Sequence, residues 1–441
     1  MKQTLVLLLG IIFLASCEII ENEIVEIKPK ARDITLKVDQ VYNDSTISLR
    51  WDKYGASDFK KYSLFRYATV LQNGQLIQQR KELKSFDSPD SVTYMERDMP
   101  RSLRVVYQLY LSTDTATYAA GGASYTRPDI TNVGLFNDAL INTDKDYLYL
   151  CDMGTGTIII FNYATNKAIR KLDLKGPIGY SALGSYGGYL NELYVPDANG
   201  WLYILDALTL ETKEKLYIGG YQVTSVVEEA GKLFVSSSDL SFERMDDNSL
   251  KVYDRATLKL VGRTGTWSNT RLVLLKNPVS QTADIELIDI TTNILPTDLT
   301  YYRFNSSGNP LAKREDSYHG DHPLDPALVK AFPDGQRFIT ASSGAVYNKN
   351  LQYEKVLAPS YTYNGRYLDF AFNGSGSLIY GVLNNENKIV AIDYPSGTIT
   401  NTYATSLKPY RIFRDGNQLI CLTKPEFSAD SYFFVEKINV L

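Results

Sequence analysis

Short apolar strands that end in an acidic or amide residue recur at nearly even steps through the C-terminal two-thirds of the chain. The terminal residues are Asn162, Asp206, Asp254, Asp289, Asn348, Asp393 and Glu436. The steps between them are 44, 48, 35, 59, 45 and 43 residues, so the short and the long step are neighbours that together span two periods. A period of about 45 residues with only β-signals inside it is typical of a β-propeller, in which each repeat forms one blade. The sequence therefore predicts an all-β fold with a seven-bladed β-propeller over residues 129–441.

The recurrent Asp and Asn residues have a structural explanation. After a strand, the side-chain oxygen of Asp or Asn can accept a hydrogen bond from the backbone two residues on and close an Asx-turn. We therefore predict this turn role, rather than metal ligation or catalysis, for Asn162, Asp206, Asp254, Asp289, Asn348 and Asp393.

The first residues have the pattern of a secretion signal. Lys2 precedes an apolar run from Leu5 to Leu14, which is too short to span a bilayer. The run ends in Leu14-Ala15-Ser16-Cys17, which resembles the bacterial lipoprotein box. The resemblance implies that residues 1–16 are a signal peptide and that Cys17 is acylated, which would anchor the chain to the membrane. The alternative is an ordinary cleaved signal with an incidental cysteine.

Residues 17–30 are polar, include Pro29 and show no period, so we predict that they form a tether. Glu18, Glu21 and Glu23 follow the cysteine closely. This acidic stretch resembles the surface-export signal of Bacteroidetes lipoproteins. The resemblance implies an outer-membrane protein exposed at the cell surface.

Residues 31–128 contain seven short runs that alternate between apolar and polar residues, which indicates a β-sandwich. Trp51 ends the second run, and Tyr107 lies in the sixth, after Met99-Pro100. These positions resemble the fibronectin type III domain, with Trp51 as its core tryptophan and Tyr107 as its tyrosine-corner residue. Arg127-Pro128-Asp129 is the predicted boundary, because proline disfavours continuation of a helix or sheet.

The segment Phe332-Pro333-Asp334-Gly335-Gln336-Arg337-Phe338 resembles the strand turn of YVTN-type propellers. The last repeat contains only three strands, whereas Ile130-Phe136 is a spare segment ahead of the first repeat. The resemblance predicts that Ile130-Phe136 completes the last blade as its outermost strand, because ring closure removes free sheet edges.

Cys151 and Cys421 occupy strand positions that differ by one residue in register. Side chains alternate between the two faces of a strand. We therefore predict that the two thiols point to opposite faces and remain free as small buried apolar groups.

Aromatic residues recur in the connections between successive repeats. In propellers these connections lie on the face that usually carries the ligand site, so the resemblance implies a ring of aromatic residues around the channel mouth. Such a ring could stack on sugars or cations, but the same residues could instead pack between neighbouring blades. The candidates are Phe136, Tyr180, Tyr221, Trp267, Tyr318, Tyr361, Tyr363 and Tyr410.

Two long loops extend the same face, and long loops on a rigid scaffold are commonly functional. Residues 237–248 include Arg244 among several charged residues, and residues 305–326 hold both histidines. His319, Asp321 and His322 are of the residue types that ligate zinc, and the alternative is a polar loop with solvated histidines. Carboxylates that could serve glycoside chemistry are Glu243, Asp246, Asp247 and Asp325.

The formal charge of −4, without charged blocks, argues against nucleic acid as a partner. No phosphate loop, nucleotide fingerprint or nucleophile elbow indicates a cofactor or a catalytic serine. We expect a lipid-anchored envelope protein whose propeller face binds a glycan or a protein partner without catalysis. One alternative is a carbohydrate-active or metal-dependent enzyme, such as a lyase, hydrolase or lactonase, that uses loops 237–248 and 305–326. The other alternative is a structural docking platform in an envelope complex.

Overall fold

The computed structural model describes residues 34–440 except for a set of short gaps. The gaps are residues 44, 73–74, 101, 103, 127–137, 239–245, 277–282, 293, 317–321, 323, 358–366, 385 and 425–432. Within the described part, the regular elements are 34 β-strands. No helix of that part has the length and apolar character that crossing a membrane requires. Cys17 and the predicted tether lie outside the described residues.

Residues 36–126 form two antiparallel sheets that share one core. The first sheet has the order β1 (Leu36–Asn43), β2 (Thr46–Trp51), β5 (Thr93–Glu96), and the second has the order β4 (Gln75–Phe86), β3 (Phe59–Gln72), β6 (Arg104–Thr113), β7 (Thr117–Thr126). Every second residue of β6 is buried, as expected for a strand with one face on a core. Buried residues of both sheets belong to one cluster, for example Leu49 and Leu109. Seven strands lie in this range, the number that the sequence predicts.

Trp51 and Tyr107 are core residues, as the sequence predicts. The Trp51 ring meets the rings of Tyr62 and Phe86 edge-on, at centroid distances of 5.9 and 5.3 Å. The Tyr107 hydroxyl donates to Glu96 Oε2 at 2.6 Å, and Arg66 binds the other oxygen of the same carboxylate. This buried cluster joins the two sheets, because Glu96 lies in β5 whereas its partners lie in β3 and β6.

The described residues from Asp138 to Asn439 form seven further sheets, numbered here 1 to 7 in chain order. Sheets 1 to 6 have four antiparallel strands each, and sheet 7 has three within the described residues. The strands are β8 (Asp138–Asn142), β9 (Tyr147–Asp152), β10 (Thr157–Asn162) and β11 (Lys167–Asp173) in sheet 1; β12 (Ala182–Gly184), β13 (Glu192–Pro196), β14 (Trp201–Asp206) and β15 (Thr212–Tyr217) in sheet 2; β16 (Gln222–Glu229), β17 (Lys232–Ser238), β18 (Leu250–Asp254) and β19 (Leu260–Thr264) in sheet 3; β20 (Thr270–Leu274), β21 (Ile285–Thr291), β22 (Leu299–Phe304) and β23 (Pro310–Glu315) in sheet 4; β24 (Val329–Ala331), β25 (Arg337–Thr340), β26 (Ala345–Asn348) and β27 (Tyr353–Val356) in sheet 5; β28 (Tyr367–Phe372), β29 (Leu378–Leu383), β30 (Lys388–Asp393) and β31 (Ile399–Ala404) in sheet 6; and β32 (Lys408–Asp415), β33 (Gln418–Lys424) and β34 (Phe434–Asn439) in sheet 7.

These sheets close into a ring. Seven clusters of buried residues each join one sheet to the next, and one of them joins sheet 7 back to sheet 1. At that closing contact the rings of Phe161 and Phe433 are 5.4 Å apart, and the Tyr163 hydroxyl donates to Asp415 at 2.8 Å. The predicted β-propeller architecture is therefore confirmed.

Each sheet is buried on both faces, which explains why its middle strands read as continuous apolar runs. In β9, Leu148 and Leu150 pack toward sheet 7, whereas Tyr149 and Cys151 pack toward sheet 2. Cys421 packs between sheets 6 and 7, so the two thiols lie in different interfaces. Both are buried and free, as predicted, and burial raises the pKa of each well above its usual range.

The turn role is correct for five of the six residues for which we predicted it and wrong for Asp289. Asn162, Asp206, Asp254, Asn348 and Asp393 each accept a backbone N–H two or three residues on. Asp289 instead lies inside β21, the second strand of sheet 4, where its carboxylate accepts the Tyr302 hydroxyl at 3.1 Å.

The residue that closes the third strand of sheet 4 is Asn305. It follows β22 and accepts the N–H groups of Ser307 and Asn309 at 3.0 Å each. With Asn305 in place of Asp289, the two irregular steps become 51 and 43 residues. The predicted loop 305–326 consequently contains a strand, β23 (Pro310–Glu315), so the connection to sheet 5 is shorter than expected. Ile130-Phe136, the predicted closing strand, lies outside the described residues.

Candidate functional site

A belt of mostly polar side chains lines the central channel, with one residue from the start of each sheet. We call it the channel belt: Asp138, Tyr180, Ser225, Arg271, Lys330, Asp369 and Arg411. Their equivalence follows from the contacts between sheets. In four cases the residue directly after a belt residue donates its backbone N–H to the belt residue of the preceding sheet. These bonds run from Ser181 to Asp138, from Val226 to Tyr180, from Leu272 to Ser225 and from Ile412 to Asp369.

The charged belt residues hold one another in place across sheets. Lys330 Nζ lies 2.9 Å from Asp369 Oδ1 and also donates to the Ile412 carbonyl at 3.2 Å. The Arg271 guanidinium lies over the Tyr180 ring, 4.2 Å from its centroid, and donates to the Pro326 carbonyl at 2.7 Å. A charge-assisted hydrogen bond is stronger than a neutral one, so these pairs stiffen the channel wall.

Burial shifts the pKa of several belt groups toward their neutral forms. It raises the pKa of Asp138, and the nearby Arg271 and Arg411 only partly offset this effect. Burial lowers the pKa of Lys330, opposed by the Asp369 carboxylate, and raises the pKa of Tyr180. The belt therefore resembles a binding surface with restrained charges, because perturbed titratable groups in a cavity mark candidate functional sites.

A cavity of about 460 Å³ lies against the belt. It extends along the first strands of sheets 1 to 4, toward the connections between first and second strands. A smaller void of about 30 Å³, large enough for a water molecule, lies on the side of Asp369 and Arg411. The larger volume falls within the range of about 300–1,000 Å³ that small-molecule sites occupy.

The structure describes four of the predicted aromatic residues, and they lie in different environments. Tyr180 lines the cavity. Tyr221 is 65% exposed, Trp267 is half-buried, and Tyr410 is buried in the cluster between sheets 7 and 1. Tyr410 therefore follows the alternative that we weighed, which is packing between sheets. Tyr318, Tyr361, Tyr363, Phe136 and Arg244 lie outside the described residues.

The predicted metal site falls mainly on residues that the structure does not describe. His319 and Asp321 lie outside the described residues, whereas His322 stacks on the Tyr353 ring at a centroid distance of 3.5 Å. In the part of the chain that the structure covers, no group of three or more His, Cys, Asp or Glu residues is placed to hold a metal ion. The enzymatic alternative stays a prediction, because loops 237–248 and 305–326 contain such undescribed segments.

A second surface on sheet 2 carries exposed aromatic side chains. Trp201 begins the third strand, Tyr217 ends the fourth, and Tyr221 lies in the connection to sheet 3. Trp201 and Tyr217 are register partners whose rings are 4.9 Å apart, and their exposures are 38% and 58%. We call these three residues the aromatic patch. It lies on the face that the sequence predicted, where connections between repeats emerge.

Sequence reasoning missed most of both surfaces. Trp201 directly follows Gly200, and Tyr217 lies two residues before Gly219-Gly220. Such glycine turns are a local signal for strand ends. The belt has a weaker signal, namely a single charged residue in an otherwise apolar first strand, as at Lys330 in β24.

Comparisons with known proteins bear on the fold. No family model matches the chain, and no curated protein matches it. A chain of Kuenenia stuttgartiensis hydrazine synthase is 14% identical, with a TM-score of 0.51, over 70% of this chain and 97% of that chain. The structure of U3-55K is 9% identical, with a TM-score of 0.50, over 69% of this chain and 95% of that chain.

The fold is a β-propeller. At such low identities the likeness shows the fold alone, because one fold hosts many functions. These comparisons give no support for a lipoprotein or a fibronectin type III domain, and both stay predictions.

Proposed function

We propose that the protein is a lipid-anchored binding protein of the outer membrane that recognises a glycan or a protein partner without catalysis. In this proposal residues 31–128 are a fibronectin type III-like spacer and residues 129–441 are a seven-bladed propeller. The strand orders β1-β2-β5 and β4-β3-β6-β7 over one core support the spacer. The closing cluster between sheets 7 and 1 supports the blade count.

The aromatic patch is the observation that carries the proposed function. Trp201, Tyr217 and Tyr221 keep large ring areas in water, although burial of an aromatic side chain is strongly favourable. The exposed rings of Trp201 and Tyr217, 4.9 Å apart at two strand ends, form a rigid surface that loses little conformational entropy on binding. Aromatic faces stack on the C–H faces of sugars, so a glycan is the partner that we favour.

A glycan array with the mature chain tests this proposal. We expect Trp201→Ala and Tyr221→Ala each to weaken glycan binding by about tenfold, which corresponds to about 1.4 kcal/mol. Tyr189→Ala is a matched control, because Tyr189 is 67% exposed on the same sheet but lies between the first and second strands, at the opposite end. A glycan whose binding is unaffected by both patch substitutions, or no binding to any glycan, would count against glycan recognition at the patch.

A protein partner would show the same dependence on the patch. Capture of a defined envelope protein by the wild-type chain and by Tyr189→Ala, but not by Trp201→Ala, would assign the patch to protein recognition instead.

A further inference from the structure

The walls of the 460 Å³ cavity are apolar and only half-buried. They consist of the residues two and three positions after the belt residue in sheets 1, 2 and 4, and of Val227 in sheet 3. The largest of these are Leu140, Ile141, Leu183, Val227, Val273 and Leu274. Removal of an apolar surface from water by a ligand is favourable. The walls therefore favour an apolar ligand body.

The floor of the cavity is charged. Arg271, Lys330 and Asp138 line both the cavity and the adjoining 30 Å³ void, which Asp369 and Arg411 complete. Among these described residues, three cationic side chains face two carboxylates. Each carboxylate already accepts a backbone N–H, from Ser181 at 2.8 Å and from Ile412 at 2.9 Å. The described floor therefore has one more cationic than anionic side chain, and a ligand with one negative charge would complement it.

Arg271 is the cation best placed to meet such a charge. Arg271 lines both the cavity and the void. Its guanidinium lies over the Tyr180 ring, and one of its nitrogens donates to the Pro326 carbonyl. A guanidinium fixed on an aromatic ring is pre-organised for a carboxylate, which it binds through two parallel N–H donors.

The charged side chains at the rim of the cavity already have partners, and the rim lies away from the aromatic patch. Leu190 and Lys276 lie in connections between first and second strands, and the Lys276 ammonium is paired with Glu229 at 2.7 Å. Glu228 accepts the N–H groups of Ser185 and Gly231 at 2.8 and 2.9 Å, so its carboxylate is already satisfied. A ligand would consequently enter from this side with its apolar end outward and its charged end on the belt.

We propose that the cavity binds a small apolar molecule that ends in one carboxylate, with the carboxylate at Arg271 and the apolar body along the walls of sheets 1 to 4. This site is independent of the aromatic patch, so either proposal can fail without the other.

Calorimetric titration of the mature chain carrying Cys17→Ser, which removes the predicted acylation, tests the site. Decanoate represents a lipid-derived carboxylate and N-acetylleucine an amino-acid-derived one, whereas decanol is the neutral analogue. We expect saturable binding of at least one carboxylate, and decanol should bind at least tenfold more weakly than decanoate if decanoate is the ligand. Saturable binding of neither carboxylate would overturn the proposal.

Two substitutions separate the floor from the walls. Arg271→Met keeps the apolar stem but removes the charge, so it should weaken carboxylate binding about tenfold or more. Ala182→Trp fills the cavity from the half-buried wall of sheet 2 and should abolish binding. Arg170→Met is the matched control, because Arg170 is exposed on β11 and lies outside the cavity.

The thermal midpoint of each variant is measured as well, to show that the variant is folded. The comparison of decanol with decanoate uses the chain without these substitutions. Carboxylate binding that survives unchanged in both Arg271→Met and Ala182→Trp, each folded, would also overturn the assignment.

Discussion

Replacement of Asp289 by asparagine should make the propeller more stable at alkaline pH. Asp289 is 1% exposed in the interface between sheets 3 and 4, and its Oδ1 atom has no hydrogen-bond partner among the described residues. Burial raises the pKa of this carboxyl to about 7, although the Tyr302 and Thr300 hydroxyls act in the opposite direction. The folded protein therefore favours the neutral acid.

The sign and size of the effect follow from proton linkage. An acid whose pKa is higher in the folded state binds its proton more tightly there, so folding is most favoured below the unfolded pKa of 3.8. That stability is lost as the pH rises through about 7. At about 1.36 kcal/mol per pKa unit, the total loss is about 4 kcal/mol, of which about 2.5 kcal/mol falls between pH 5 and pH 8.

Asparagine has nearly the same shape and no charge to bury. It keeps an oxygen for the Tyr302 hydroxyl and places an amide beside Thr300, the register partner of position 289. Between pH 5 and pH 8, the unfolding free energy of the wild type should therefore fall by about 2.5 kcal/mol more than that of Asp289→Asn.

Urea unfolding at these two pH values provides the assay. A Trp51→Phe background restricts tryptophan fluorescence to Trp201 and Trp267, which both lie in the ring. Asp393→Asn is the control, because hydrogen bonds from Ser396 lower the pKa of that exposed carboxyl, and its contribution changes only below about pH 4. An equal loss of stability in the wild type and in Asp289→Asn would refute the reasoning.

Two further substitutions test the contacts of buried carboxylates. Arg255→Ala should cost about 3 kcal/mol of unfolding free energy at pH 7, because the buried Glu192 carboxylate loses two hydrogen bonds of 2.8 Å from Arg255. The Tyr194 hydroxyl and the Lys213 ammonium, at 2.6 and 3.3 Å, remain as its partners. Burial alone would raise the pKa of Glu192, but Arg255 and Tyr194 hold it below 4.5. Without Arg255 the carboxyl should take up a proton more readily, so the cost of the substitution should be smaller in urea unfolding at pH 4. An equal cost at both pH values would contradict the pairing. Tyr107→Phe should cost about 1–3 kcal/mol in the N-terminal sheets, since the Glu96 carboxylate loses a donor at 2.6 Å. Trp51 fluorescence should report this loss, whereas Tyr67→Phe, which breaks only a hydroxyl contact of 3.3 Å to Tyr110, should change little.

Much of the fold could be predicted from local patterns, and one failure shows their limit. The strands that end at Asp206 and Asp254 were predicted correctly, because alternation and turn chemistry act over a few positions. Asp289 was misassigned because an apolar strand followed by Asp has the same appearance whether the carboxyl caps a turn or is buried. Only its pairing with Thr300 and its contact with Tyr302 distinguish the two.

The candidate sites depended more on the tertiary structure. Tyr221 was among the candidates, because its position between repeats could be read from the period, whereas Trp201, which is also exposed, was not. Tyr410 has a similar sequence context to Tyr221, yet it is buried where sheet 7 meets sheet 1. Exposure of an aromatic residue depends on how the adjacent sheet packs, which no short segment encodes.

The sequence by itself determined the repeating β-architecture and five of the six predicted turns, since both follow from interactions between residues near one another in the chain. The tertiary structure alone decided that Asp138, Arg271 and Lys330 face one cavity. These residues come from strands far apart in sequence, and they meet only because the packing of large side chains between sheets closes the ring and brings the first strands together around a common axis.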